Sequence, residues 1–127
     1  IVHIVNSVDS PYLRVNVDIA NFLCVDEDPL EEVVKLSPHM VYAHVKDFQE
    51  VRAERPDEDV VISVGGKRYI GCIPGEGIVD LQGALSIIKE ANYEGFVSLE
   101  YEAQEDNKEG VKKSIASIRK ILRRVQQ

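Results

Sequence analysis

Asn16-Val17-Asp18-Ile19, Tyr42-Ala43-His44-Val45 and Val97-Ser98-Leu99-Glu100 decide the fold, because these three stretches share one pattern. Val15 and Val17 alternate with Asn16 and Asp18, Ala43 and Val45 with Tyr42 and His44, and Val97 and Leu99 with Ser98 and Glu100. Successive side chains of a strand point to opposite faces, so each stretch reads as a strand with one apolar and one polar face. Parallel strands covered by helices on both faces would read as continuous apolar runs instead. The apolar faces suit packed helices; the polar faces must line something else, and a barrel interior is the simple candidate.

Each polar face ends, on its C-terminal side, in a residue that can bind a metal: Asp18, His44 and Glu100. In α/β barrels that rim carries the chemistry. Two carboxylates and an imidazole make a mixed site for a divalent ion such as Mn²⁺, Co²⁺, Mg²⁺ or Zn²⁺. Buried unpaired charges would be costly there, which makes a shared cation attractive. Any one of these residues alone is ordinary, since a strand-end Asp is usually a turn or cap residue; the coincidence of all three carries the reading.

Working outward, the chain alternates strands with helices. Ile1 to Val8 reads as the tail of a helix, broken by Ser10-Pro11, and Arg14 to Ile19 as a strand. Asp28-Pro29 opens a helix with Glu31 completing a capping box; Leu30, Val33, Val34 and Leu36 form its apolar stripe, and Ser37-Pro38 ends it. Met40 to Val45 is a second strand. Gln49 to Asp59 is charged and contains Pro56, so it reads as a surface loop. Val60 to Val64, Gly65-Gly66 and Arg68 to Ile73 suggest a small hairpin, and Pro74-Gly75-Glu76-Gly77 a turn. Asp80 caps the next helix, with Leu81, Leu85, Ile88 and Ala91 facing inward and Asn92 as a left-handed stop. Phe96 to Tyr101 is the third strand. The last helix carries Val111, Ile115, Ile118, Leu122 and Val125 at helical spacing. Strand–helix alternation of this kind argues for an α/β fold with a parallel sheet.

Composition narrows the function. The 127 residues are 44% hydrophobic, as expected of one globular domain, and no apolar run approaches the ~20 residues of a membrane span. A net charge of −7 argues against a nucleic-acid surface, which needs a clustered basic patch. Lys112, Lys113, Lys120, Arg123 and Arg124 do cluster, on a terminal helix whose dipole they complement. Cys24 and Cys72 are too few and too far apart for a disulfide framework or a metal knuckle, and read as reduced thiols of a cytoplasmic protein. Lys46 and Asp47 border the expected pocket or form a surface pair. Lys67 and Arg68, on the hairpin, could reach a substrate phosphate, though a polar hairpin tip explains them as well. Glu102 falls on the face of Glu100, just beyond it. Gly75 and Gly77 read as a tight turn first.

These residues resemble the sugar-phosphate isomerase/epimerase superfamily, with its xylose isomerase-like TIM barrel, which also includes inosose dehydratases, hydroxypyruvate isomerases and endonuclease IV. Three motifs carry the resemblance: Asn16-Val17-Asp18-Ile19-Ala20-Asn21, His44-Val45-Lys46-Asp47 and Gly95-Phe96-Val97-Ser98-Leu99-Glu100. Pro74 to Asp80 looks like that family's turn into its penultimate helix, and Asn92-Tyr93-Glu94-Gly95 like its entry to the last strand. The resemblance covers nearly the whole chain. It implies that residues 1–127 are the C-terminal part of a (β/α)8 barrel, strands six to eight with their helices, with a fourth ligand, a Glu on strand four or five, lying before Ile1.

By the same resemblance, Asp18, His44 and Glu100 are metal ligands, and Glu100 is also one of two acid/base carboxylates. Asn21, Lys46 and Arg68 are the candidate substrate-binding residues. Many members place a His where Asn21 stands, so a proton-shuttling role there is not carried over. The implied chemistry is isomerisation or epimerisation of a small sugar, sugar phosphate or keto-polyol: a carboxylate removes a carbon-bound proton, the cation stabilises an enediolate, and a carboxylate returns the proton. The alternatives are a dehydratase of the inosose or dehydroshikimate type, or a non-catalytic binding or assembly domain. Endonuclease IV-like repair would want an Asp-x-His pair after strand seven and a basic groove, and the sequence has neither. Three strands cannot close an eight-stranded barrel, so the expected partner is the N-terminal part of the barrel, a second chain, or another copy pairing through the open edges, and this piece alone is expected to be inactive.

Overall fold

In the computed structural model, residues 1–51 and 60–127 are described. A parallel three-stranded sheet sits at the centre: β1 (Val15–Asp18), β2 (Met40–Val45) and β6 (Val97–Leu99), in the order β1-β2-β6. Helices α1 (Val2–Val8), α2 (Pro29–Leu36), α3 (Leu81–Glu90) and α4 (Asn107–Val125) precede, connect and follow these strands. A second sheet, antiparallel and ordered β3-β5-β4, is inserted between β2 and α3; it comprises β3 (Asp47–Glu50), β4 (Val61–Ile62) and β5 (Arg68–Cys72). Among the described residues no helix is long and apolar enough to cross a membrane.

The period-2 pattern places the core as expected. Val15, Val17, Ala43 and Val45 are buried in one cluster with Val33 and Leu36 of α2 and Leu81, Ala84, Leu85 and Ile88 of α3. Helix α2 packs on α3, and α3 on α4. The caps are also where the sequence puts them. Asp28 accepts from the amides of Leu30 and Glu31, Asp80 accepts from that of Gly83, and Asn92 has φ 55°.

Several expectations need correction. The strands at Arg14–Ile19 and Phe96–Tyr101 are shorter than read, and Ile19 instead starts a 3₁₀ turn running to Val25. Val34 and Ala91 point outward, because the helices meet the sheet along narrower stripes. In α4 the buried line is Gly110, Ser114 and Ile121, with Ile115 exposed. The small residues let that helix approach closely, so burial there follows size more than hydrophobicity. Gln49 and Glu50 are not loop but the end of β3, which pairs with β5 from Asp47↔Cys72 to Glu50↔Tyr69. The expected hairpin is thereby a three-stranded sheet. The remainder of the expected loop, with Pro56, lies at 52–59, outside the described residues.

Lys46 is the single residue between β2 and β3, so one stretch of chain runs out of the parallel sheet into the antiparallel one. Strand β5 also touches the segment after β6 through a parallel bridge between Gly71 and Ala103. A Cβ on Gly71 would lie 2.0 Å from the Glu102 carbonyl oxygen, so glycine is required for that approach. The antiparallel sheet is held at the C-terminal ends of the parallel strands.

Candidate metal centre

Strand register assembles the site. Asp18 lies opposite His44, and His44 lies opposite Ser98. Glu100 is therefore one inward-facing step beyond Asp18 and His44 and not level with them, and its amide bonds the Val45 carbonyl oxygen just past β6. Its side chain still reaches the other two. One ligand atom from each of Asp18, His44 and Glu100 falls within 4.8 Å of the others. His44 Nδ1 is 3.6 Å from Glu100 Oε2 and 3.9 Å from Asp18 Oδ2. Beneath them, Tyr42 and Ser98 join their hydroxyls at 2.6 Å, and the Tyr42 ring meets the His44 ring edge-on.

Asp18 is oriented by its neighbours. Asn21, one turn on in the 3₁₀ segment, donates from Nδ2 to Asp18 Oδ2 at 2.7 Å. Lys46 Nζ lies 3.1 Å from the same oxygen. The other oxygen, Oδ1, is buried and has no hydrogen-bond partner among the described residues. A buried carboxylate oxygen without a partner costs free energy, and a divalent cation is a partner that two carboxylates and an imidazole accept readily. The donor set fits such an ion.

Lys46 belongs to this cluster. Two residues after His44, it points to the same face and is only 5% exposed. Its ammonium reaches Glu100 Oε2 at 2.8 Å, Asp18 Oδ2 at 3.1 Å and Glu102 Oε2 at 3.2 Å, and lies 5.8 Å from the centre of the Phe48 ring. Burial works against its charge, but the bonds to Glu100 and Asp18 outweigh that and hold its pKa up. The carboxylates divide. Burial raises the Asp18 pKa against the pull of Lys46, whereas the Lys46 hydrogen bond lowers that of the more open Glu100. Of the two sequence readings of Lys46, a pocket-bordering residue or half of a surface pair, the second does not hold for a side chain this buried.

Asp47 is not a surface residue. It is 1% exposed and takes four backbone amides: Phe48 and Val79 on Oδ1, Gly75 and Gly77 on Oδ2. The Pro74–Val79 turn thus wraps around it. Gly75 has φ 92°, and a Cβ on Gly77 would lie 2.2 Å from Asp47 Oδ1. The turn is a structural clamp. Arg68 stands at the far end of β5, about 13 Å along the strand from Cys72, the residue level with Asp47. Lys67 pairs with Asp26 at 3.6 Å.

Residues 1–121 match the family described as the xylose isomerase-like TIM barrel. The chain belongs to that family. Two solved structures superpose on 98% of it: a xylose isomerase domain protein from Planctomyces limnophilus (TM-score 0.74, 19% identity, 41% of that chain) and one from Alicyclobacillus acidocaldarius subsp. acidocaldarius (TM-score 0.67, 18% identity, 42% of that chain). These show the fold. Among curated proteins, the inosose dehydratases of Lacticaseibacillus casei and Clostridium perfringens (strain 13 / Type A) match over 86 residues at 26% and 27% identity. That match takes in 67% of this chain but only 29% of each relative's length. The family is an enzymatic one, and its barrel accounts for a parallel sheet with a polar inner face.

Proposed function

We propose that this chain carries the metal-binding and proton-transfer end of an isomerase or epimerase acting on a small sugar, sugar phosphate or keto-polyol. The observation that carries the reading is the buried, unpartnered Oδ1 of Asp18 beside His44 and Glu100. A divalent cation held by these three would supply Lewis acidity toward a substrate carbonyl and its neighbouring hydroxyl. Glu100, the most open of the three, takes and returns the carbon-bound proton; Lys46 keeps it ionised and so able to accept. Asn21 holds Asp18 in place and offers its exposed amide to a hydroxyl. Lys46 meets the substrate from the same inward face. Arg68 is the outlying member of the set, and its proposed role is to meet a phosphate on the far end of a longer substrate.

The same reading makes β1, β2 and β6 of the parallel sheet strands six, seven and eight of a barrel. β1 and β6 are its edges, and their completion by further strands, from the rest of a chain or from a partner, supplies the remaining ligand. Two free thiols suit a cytoplasmic setting.

A dehydratase on the same residues is the second reading, favoured by the inosose dehydratase relatives. Both begin with loss of a carbon-bound proton; only the dehydratase expels a hydroxyl. The test is Mn²⁺ binding by the full-length protein and its Asp18→Ala, His44→Ala and Glu100→Ala variants, then incubation with ketoses, ketose phosphates and inososes in D₂O. One ion released by each substitution, with deuterium incorporated and mass otherwise kept, supports the isomerase. A product lighter by one water moves the assignment to the dehydratase. Retention of Mn²⁺ by all three variants refutes the centre.

A further inference from the structure

Three carboxylates surround Lys46, and two of them are the proposed cation ligands. Register puts Lys46 level with Glu100 and on the inward face, so its ammonium and a cation seated between Asp18, His44 and Glu100 draw on the same two carboxylates. Asp18 Oδ2 is 3.1 Å and Glu100 Oε2 2.8 Å from Nζ, and these same two oxygens face His44 Nδ1. An ammonium has three donors and no acceptor, and here all three find carboxylates. With Asp18, Glu100 and Glu102 ionised, the single lysine charge leaves two negative charges uncompensated, the amount a dication supplies.

A dication so close to Nζ repels it. Lys46 has little freedom to yield: it is 5% exposed, and Phe48 flanks its head. The anion still open to it is Glu102, 3.2 Å away, two residues past Glu100 on the same face and 43% exposed at its side chain. We propose that Lys46 and Glu102 form an exchange pair, in which cation loading moves the lysine ammonium off Asp18 and Glu100 and onto Glu102. Glu102 is then a positioning residue that governs cation affinity through Lys46 without touching the ion. The exchange also frees the inward face of Lys46 for substrate only in the loaded site. This inference rests on the metal reading given above.

The experiment is an Mn²⁺ titration of the full-length protein, followed by the EPR signal of free Mn²⁺, on four forms: wild type, Glu102→Gln, Lys46→Met and the double variant. Glu102→Gln should weaken Mn²⁺ binding by about tenfold, the scale of losing an outer partner of a metal ligand. Lys46→Met should tighten binding, since the competing ammonium is gone. In the Lys46→Met background the Glu102→Gln loss should shrink to about threefold or less, because only the through-space charge effect is left. Lys46→Gln replaces Lys46→Met if the apolar variant does not fold. An equal Glu102→Gln loss in both backgrounds, or weaker binding in Lys46→Met, overturns the exchange while leaving the metal centre standing. Failure of the wild type to bind Mn²⁺ overturns both.

Discussion

Asp47→Asn exchanges one carboxylate oxygen for an NH₂ group and leaves the side-chain volume nearly unchanged. The aspartate serves four amides with two oxygens: Phe48 at 2.9 Å and Val79 at 3.1 Å on Oδ1, Gly75 at 2.8 Å and Gly77 at 2.9 Å on Oδ2. Asparagine can satisfy only one pair. It should keep its oxygen on Phe48 and Val79, both buried, and turn its NH₂ toward Gly75 and Gly77, where donor then faces donor. Two charge-assisted bonds at roughly 1.5 kcal/mol each put the loss near 3 kcal/mol. That is a large share of a total stability of about 5–15 kcal/mol. With a urea m-value of about 2 kcal/mol/M, the midpoint should fall by about 1.5 M at unchanged slope. Urea unfolding followed by far-UV circular dichroism measures this. A loss under about 1 kcal/mol would show that solvent replaces the carboxylate and that the turn does not depend on it.

Two further outcomes follow from the same region. Gly77→Ala should cost about 2–3 kcal/mol in the same urea assay, since the new methyl would sit 2.2 Å from Asp47 Oδ1 and 2.4 Å from the Phe48 carbonyl oxygen; a neutral result would mean the turn can relax. Asp26 ties the segment after β1 to the hairpin, accepting from Ser63 Oγ at 2.9 Å and from the Gly65 amide, and these bonds with Lys67 hold its pKa below the ordinary aspartate value. A carboxylate lowered in the folded state contributes stability above its unfolded value of about 3.9, lost as pH falls through the folded value. Asp26→Asn should therefore lower the urea midpoint at neutral pH and converge with wild type in acid; parallel pH profiles would assign that acid limb to other groups.

The legible parts of this protein are those set by short-range rules. Alternation in Val15–Asp18 and Tyr42–Val45 gave both the strand type and the face that carries Asp18 and His44, and caps at Asp28 and Asp80 gave helix starts. Long-range pairing was less readable. Gln49 and Glu50 look like loop because their side chains are polar, and they become strand only because β5 offers a partner edge. Asp47 looks like half of a surface ion pair until the chain returns, about thirty residues on, with three amides aimed at it. Lys46, two residues past His44, falls on the inward face by strand period, but the period does not show the three carboxylates around it. A lysine on an inward face is uncommon enough that its neighbours, and not its own sequence context, decide its burial.

Because Lys46 alone separates β2 from β3, the ligand face and the antiparallel sheet are joined by a single-residue link, and Asp47 pins the chain at the junction. The pin works like a fulcrum. Distal parts of the hairpin can be lengthened, shortened or recomposed without altering the register that sets His44 against Asp18, since loop length is thermodynamically cheap and the bonds at Asp47 absorb the change. Descendants of one ancestral barrel could thus exchange this appendage as a cassette and diversify what they admit to the rim while inheriting the ion-holding face intact.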